Sequence, residues 1–160
     1  MSGGVAGRSA AMTKQQPAKR NWNKIHQQAS EKIQMASSQA GKTSAEDIKQ
    51  ALRSVMLSSA GLLRNANGLL DGQVKIRNLQ SEIDVGLRSN SFTDSIRSLE
   101  AKNMVLTGEI IIQAALMRLE SRGAHQRTDY PQMDDLHFLN HIAFNMKEDG
   151  CINSHSIPIS

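Results

Sequence analysis

The sequence predicts an all-α fold, a three-helix bundle, and two observations carry the prediction. Aromatic residues make up only 3% of the 160 residues while hydrophobic residues reach 39%. The core must therefore be built from Leu, Ile, Val, Met and Ala, which suit helices better than the aromatic and β-branched strands of a sandwich or barrel. Apolar residues also recur at spacings of three, four and seven in three segments, about 44–60, 67–87 and 95–122, which is the period of a helix face. The length suits one domain. The expected organisation is a basic, loosely helical arm over 1–42, a helical domain over 43–145 and an irregular tail over 146–160.

The arm holds most of the charge. Residues 1–42 carry seven Lys/Arg against Glu31 alone, more than the whole chain's net +4, so the body is slightly acidic. A generic nucleic-acid surface is not what such a body offers. Within the arm, Trp22, Ile25, Ala29, Ile33 and Ala36 form one narrow helical stripe. Two rival readings remain. A basic, Ser-containing, acid-poor start is also the composition of an organelle transit peptide. Trp22 among Lys19, Arg20 and Lys24 is also the composition of a phosphate-binding tail with a stacking residue.

The first core helix begins near Thr43 or Ser44, where Thr43-Ser44-Ala45-Glu46 fits a capping box closed by Glu46. Its core stripe is Ile48, Leu52, Val55, Met56 and Ser59, and Gly61 ends it. The second helix is capped by Asn65 or Asn67. Leu69, Ile76 and Ile83 lie seven apart, with Leu79 and Leu87 beside them. Gly72 inside it costs about 1 kcal/mol relative to alanine, which a close helix crossing would explain. The third helix starts near Asp94 or Ser95 and runs to Arg122. Ile96, Leu99, Met104, Leu106, Ile110, Ala114 and Met117 form its expected core side. Ile111, Ile112 and Leu116 widen the apolar surface beyond what two partner helices cover, which implies a further surface.

The densest polar run follows that helix: Glu120-Ser121-Arg122-Gly123-Ala124-His125-Gln126-Arg127-Thr128-Asp129-Tyr130-Pro131. Gly123 is placed to stop the helix with a positive φ, and Pro131 keeps Tyr130 extended. Arginines offer planar five-donor forks, and His125 changes charge near neutral pH. The run reads as a polar docking loop, against the plainer reading of a solvated helix end with arginines near the negative dipole pole.

Several chemistries are missing. No Gly-x-Gly-x-x-Gly unit follows a strand, and there is no Gly-x-Ser-x-Gly elbow, Walker loop or His-Glu-x-x-His. Cys151 is the only cysteine, which excludes an internal disulfide framework, and it makes an unconvincing nucleophile. His137 and His141 have an i, i+4 ligand spacing but no evident third ligand. No apolar run approaches the about 20 residues that cross a bilayer.

The polar run resembles the C-terminal helical domain of the flavoprotein subunits of succinate dehydrogenase and fumarate reductase, and of the related L-aspartate oxidases. The matching residues are Ser121, Arg122, Gly123, Ala124 and His125, then Arg127, Asp129, and the pair Asp134 and Asp135. Tyr130 sits inside the motif, and Phe138, Leu139 and His141 match the fumarate-reductase form. Gly61-Leu62-Leu63-Arg64 is similar to the family's turn after its first helix. Val5-Ala6-Gly7-Arg8-Ser9-Ala10-Ala11 is similar to the end of the helix that closes its FAD-binding domain.

The resemblance covers about residues 43–145 and implies FAD in the parent enzyme, with no cofactor or metal held by this chain alone. It implies an FAD-binding domain or subunit as partner, and an iron–sulfur subunit beyond it. The implied location is cytoplasmic, at the inner face of a membrane complex, with a mitochondrial one as the alternative. No catalytic residue carries over, because hydride transfer in that family uses arginines and histidines of the flavin and capping domains. The expected function is therefore a helical domain or split subunit that docks on the FAD-bearing part. The alternative is a stand-alone interaction or assembly module derived from it.

Overall fold

A computed structural model describes residues 12, 21–37, 41–147 and 152–159. The expectations for residues 1–11 and for Cys151 fall outside them. The chain separates into two units, Met1–Lys32 and Ile33–Ser160. Helix α1 (Trp22–Ser37) begins in the first, with the Asn21 side chain accepting from Lys24 N at 3.1 Å. Its stripe is helical as expected, yet Trp22 and Ile25 remain open.

The second unit contains α2 (Ala45–Ala60), β1 (Leu63–Arg64), α3 (Ala66–Val85), α4 (Phe92–Met117), β2 (Gln126–Arg127), α5 (Asp135–Phe138), β3 (Asn140–Met146) and β4 (Ile152–Pro158). Helices α2, α3 and α4 share one core. Ile48, Leu52 and Val55 of α2 meet Leu69, Ile76, Leu79 and Ile83 of α3 and Ala101, Val105, Ile112 and Ala115 of α4. The expected stripes of the first two helices are the buried ones, except that Met56 is only partly buried and packs against the core from its edge. Each helix start is capped by a side chain that accepts from an otherwise orphaned backbone donor: Ser44 for α2, Asn65 for α3 and Ser91 for α4. The box at α2 closes through Asp47, not Glu46. Ser44 is the cap, which puts Asp47 at the third helical position facing the Ser44 N–H.

Gly72 marks the crossing of α3 with both partners. A Cβ there would stand 2.6 Å from Ser59 Cβ and 2.8 Å from Ile112 Cδ1. At Gly108 of α4 the same atom would meet Leu52 Cδ1 at 3.0 Å. These contacts correct the expected core side of α4. Its buried stripe is Ser95, Ser98, Ala101, Val105, Gly108, Ile112 and Ala115. The larger residues Ile96, Leu99, Leu106 and Ile110 are only half-buried, and Met117 is exposed. Small side chains occupy the seam because they let the helix axes approach; the bulky ones are left to flank it.

Three further expectations are corrected. The fold is mostly helical, not purely α, because two small sheets are present among the described residues. Strands β1 and β2 pair in parallel, Leu63 with Gln126 and Arg64 with Arg127. The tail is not irregular over its described part. Strands β3 and β4 form an antiparallel ladder from Asn140 opposite Pro158 to Met146 opposite Ile152. Strand pairing satisfies backbone donors and acceptors whatever the side chains are, so a segment as polar as Asn153, Ser154, His155 and Ser156 takes part. Finally, α4 starts at Phe92 and stops at Met117, five residues before Arg122. Arg118 turns extended (φ −87, ψ 99). Its guanidinium leaves the helix to donate to Phe138 O at 3.0 Å and Asn140 O at 2.7 Å.

Candidate docking surface

The segment after α4 is folded around two buried ionised groups. Glu120 is fully buried. Its carboxylate accepts from Arg122 Nε at 2.9 Å, Arg122 Nη2 at 3.0 Å and Asp134 N at 2.8 Å, and also from Arg118 Nη1. The Arg122 fork is the largest cause that holds the Glu120 carboxyl down to about 2, against the opposing effect of burial. Arg118 also donates to Phe138 O and Asn140 O, so Glu120 ties the end of α4 to α5 and β3. Arg122 extends the chain of charges to Asp135.

Arg127 is the second centre, 2% exposed. Its Nη1 donates to Ala115 O at 2.7 Å, a carbonyl of the last turn of α4 that lacks a helical partner. Its Nε and Nη2 grip both oxygens of Asp129 at 2.7 Å. Asp129 Oδ2 in turn accepts from Ala66 N at 2.8 Å, the first residue of α3. A cation thus sits at the negative end of α4 and an anion at the positive start of α3, and the pair is bidentate. Arg127 pushes the Asp129 carboxyl far below the usual carboxylate range. The Tyr130 ring lies 5.1 Å from the Arg127 guanidinium.

The turn between them explains the glycine. Arg122 N donates to His125 O at 2.8 Å and His125 N to Arg122 O at 2.9 Å. Gly123 at φ 57 is the first central residue, and no residue other than glycine takes positive φ among those described. That is the pattern of a type II′ turn. The positive φ expected at Gly123 is present, but it closes this turn, not the helix. Ser121 Oγ accepts from Arg127 N at 2.8 Å and donates to Tyr130 O at 2.8 Å, pinning the loop's two limbs together.

His125 bridges outward. Its Nε2 lies 3.1 Å from Arg118 O and its Nδ1 3.0 Å from Arg64 Nη1. An arginine only donates, so Nδ1 accepts and Nε2 carries the proton. Burial, together with the nearby arginines, lowers the His125 pKa despite the favourable bond to Arg118 O. The ring is therefore neutral at pH 7.

The loop brings together Ser121, Arg122, Gly123, His125, Arg127, Asp129 and Tyr130 as one bonded unit, with Asp135 joined through Arg122. Asp134 joins through its backbone, while its side chain caps α5 by accepting from His137 N at 3.1 Å. Three participants were not among the residues expected to form the site. Glu120 opens the polar run but is not among its expected docking residues, Arg118 lies inside the expected third helix, and Arg64 belongs to the turn Gly61-Leu62-Leu63-Arg64. The signal for Glu120 is its place among Arg118, Arg122 and Arg127, an acid that spacing alone does not bury. Among the described residues, no group of three or more His, Cys, Asp or Glu is placed to hold a metal ion. No helix among them is long and apolar enough to cross a membrane.

Comparison with known proteins matches residues 49–158 to the family described as fumarate reductase flavoprotein C-term. The fumarate reductase flavoprotein subunit of Mycobacterium tuberculosis is 33% identical over 118 residues, covering 71% of this chain and 20% of the relative. That of Haemophilus influenzae is 29% identical over 164 residues, covering 98% of this chain and 27% of the relative. Among solved structures, a mutant of E. coli quinol fumarate reductase FrdA superposes with a TM-score of 0.78 at 22% identity, covering 97% of this chain and 27% of that one. The chain thus spans only about a fifth to a quarter of the length of these relatives.

Proposed function

The chain belongs to the fumarate reductase flavoprotein C-terminal family, and from that premise we propose that it serves as the helical domain that docks on an FAD-bearing body. In this role it supports C4-dicarboxylate redox chemistry without supplying catalytic residues or binding FAD itself. The partner set is the flavin-bearing part and, through it, an iron–sulfur subunit.

One observation carries the reading. The outer side of α4 and its exit leave Ile111, Met117 and Leu119 each more than 40% exposed, directly beside the arginine loop. Apolar surface next to an ordered charged loop is the composition of an interface, apolar at its centre and polar at its rim. The buried residues Ser121 and Arg127, with Gly123 and Asp129, set the loop's shape. Arg122, His125, Tyr130, Asp134 and Asp135 are the ones that reach its surface and meet the partner.

A pull-down titration against the flavin-bearing body tests this. Arg122→Ala and His125→Ala are expected to weaken capture while the helical circular dichroism signal stays. Unchanged affinity in both variants would count against the docking role.

A further inference from the structure

Arg64 differs from the other arginines of the loop. Arg118 and Arg122 share Glu120, and Arg127 has Asp129. Among the described residues Arg64 has no carboxylate partner; it donates to two neutral acceptors, Gly61 O at 3.0 Å and His125 Nδ1 at 3.0 Å. Parallel pairing of β1 with β2 holds its backbone, and Thr128 N donates to Arg64 O at 2.8 Å. The cation is thus fixed in place while its charge is unmatched.

It stands at the rim of a recess of about 300 Å³, with Arg118 and His125 beside it and Ile111, Ala114 and Ile142 as an apolar floor. At Ile111 this recess meets an apolar groove between α2 and α4 lined by Leu52, Met56 and Met104. A partner that covers the recess takes Arg64 out of water. Burying an unpaired guanidinium opposes association more than contact with the floor favours it, so the partner must bring a negative group. The apolar floor requires that group to be carried on aliphatic structure. Arginine's planar fork matches a carboxylate.

We propose that this recess receives a carboxylate side chain, Asp or Glu, from the flavin-bearing partner, paired with Arg64 while a neighbouring aliphatic group covers Ile111, Ala114 and Ile142. This rests on the docking reading and names the chemistry of the partner at one spot. The orientation of the fork is set from within the chain. The neutral His125 ring accepts one Nη1 proton and Gly61 O takes the Nε proton, which leaves the Nη2 edge for the incoming group.

The test is an NMR titration of the full chain with 4-methylpentanoate and, separately, 4-methylpentanamide, which have the same aliphatic body and differ in charge. The acid is expected to shift the Arg64 Nε–H, the His125 ring and the Ile111 and Ile142 methyls together and saturably. The amide is expected to bind roughly tenfold more weakly, the ratio a charge-assisted pair provides. In Arg64→Gln the two ligands should become equal, and in Arg64→Lys the preference for the acid should persist. Equal binding of acid and amide to the unsubstituted chain would overturn the proposal, with no variant needed. So would displacement of the acid by equimolar inorganic phosphate. A pull-down then separates the two readings. If the flavin-bearing body is captured equally by the unsubstituted chain and by Arg64→Gln, docking stands and the carboxylate proposal falls. If the unsubstituted chain captures nothing, docking falls, and the acid-to-amide ratio alone decides the chemistry of the recess.

Discussion

Replacing Glu120 by glutamine removes the negative charge that Arg118 and Arg122 share while leaving the side chain's shape. The magnitude follows from the carboxyl's titration. Its pKa drops from 4.5 to about 2 in the folded chain, which makes the charged form worth about 3 kcal/mol to the fold. Breaking a buried pair by deleting one partner costs a similar amount, about 3–5 kcal/mol. Urea unfolding of Glu120→Gln should therefore show a loss of about 3 kcal/mol at pH 7, or roughly 10 °C in Tm for a chain of this size.

The pH dependence has a definite sign. A depressed carboxylate pKa gives stability that is complete above about 4.5 and is lost as pH falls toward about 2. The difference between the unsubstituted chain and Glu120→Gln should shrink over that window and vanish below it. Amide hydrogen exchange should show the loss of protection concentrated in residues 118–146, which Glu120 ties together through Arg118. A change under about 1 kcal/mol at pH 7, or a difference that persists unchanged at pH 2, would refute the reasoning.

Gly72→Ala gains about 1 kcal/mol of helix propensity but puts a Cβ 2.6 Å from Ser59 Cβ, so overpacking wins and the net loss should be about 1 kcal/mol. Urea curves for the pair with Ser59→Gly should show a favourable coupling of about 1 kcal/mol, because removing the Ser59 side chain reopens the crossing. His125 should titrate below the ordinary histidine value of 6.5, chiefly because burial penalises its charge. Its contribution to stability is then complete above 6.5 and is lost as pH falls through its folded pKa. Nitrogen-15 chemical shifts of the ring should show the Nε2–H tautomer at pH 7.

The helical core was legible because its signals are local. Ile48, Leu52 and Val55, and Leu69, Ile76 and Ile83, repeat at helix spacing, and Ser44 and Asn65 cap where short polar residues precede a periodic run. Gly72 was legible as a crossing because nothing else explains a glycine within a helix. The face of α4 was not, because apolar residues occupy more than one side of it and periodicity cannot say which side meets the seam. The β3–β4 ladder was not legible, because residues 146–160 read as a polar tail. Asn153, Ser154, His155 and Ser156 mask a strand whose stability lies in its backbone.

The sequence by itself determined three helices, the approximate starts of the first two and the identity of the polar motif, since capping, period and motif residues are read within a few positions of one another. Tertiary structure alone decided where α4 ends, which acid is buried and which arginine beside the loop lacks a carboxylate partner. Glu120 becomes a shared anchor only when α4, α5 and β3 meet, and Arg64 faces His125 only when β1 lies beside β2. Such long-range pairing of charges is settled by geometry and desolvation, and neither is written in the spacing of residues along the chain.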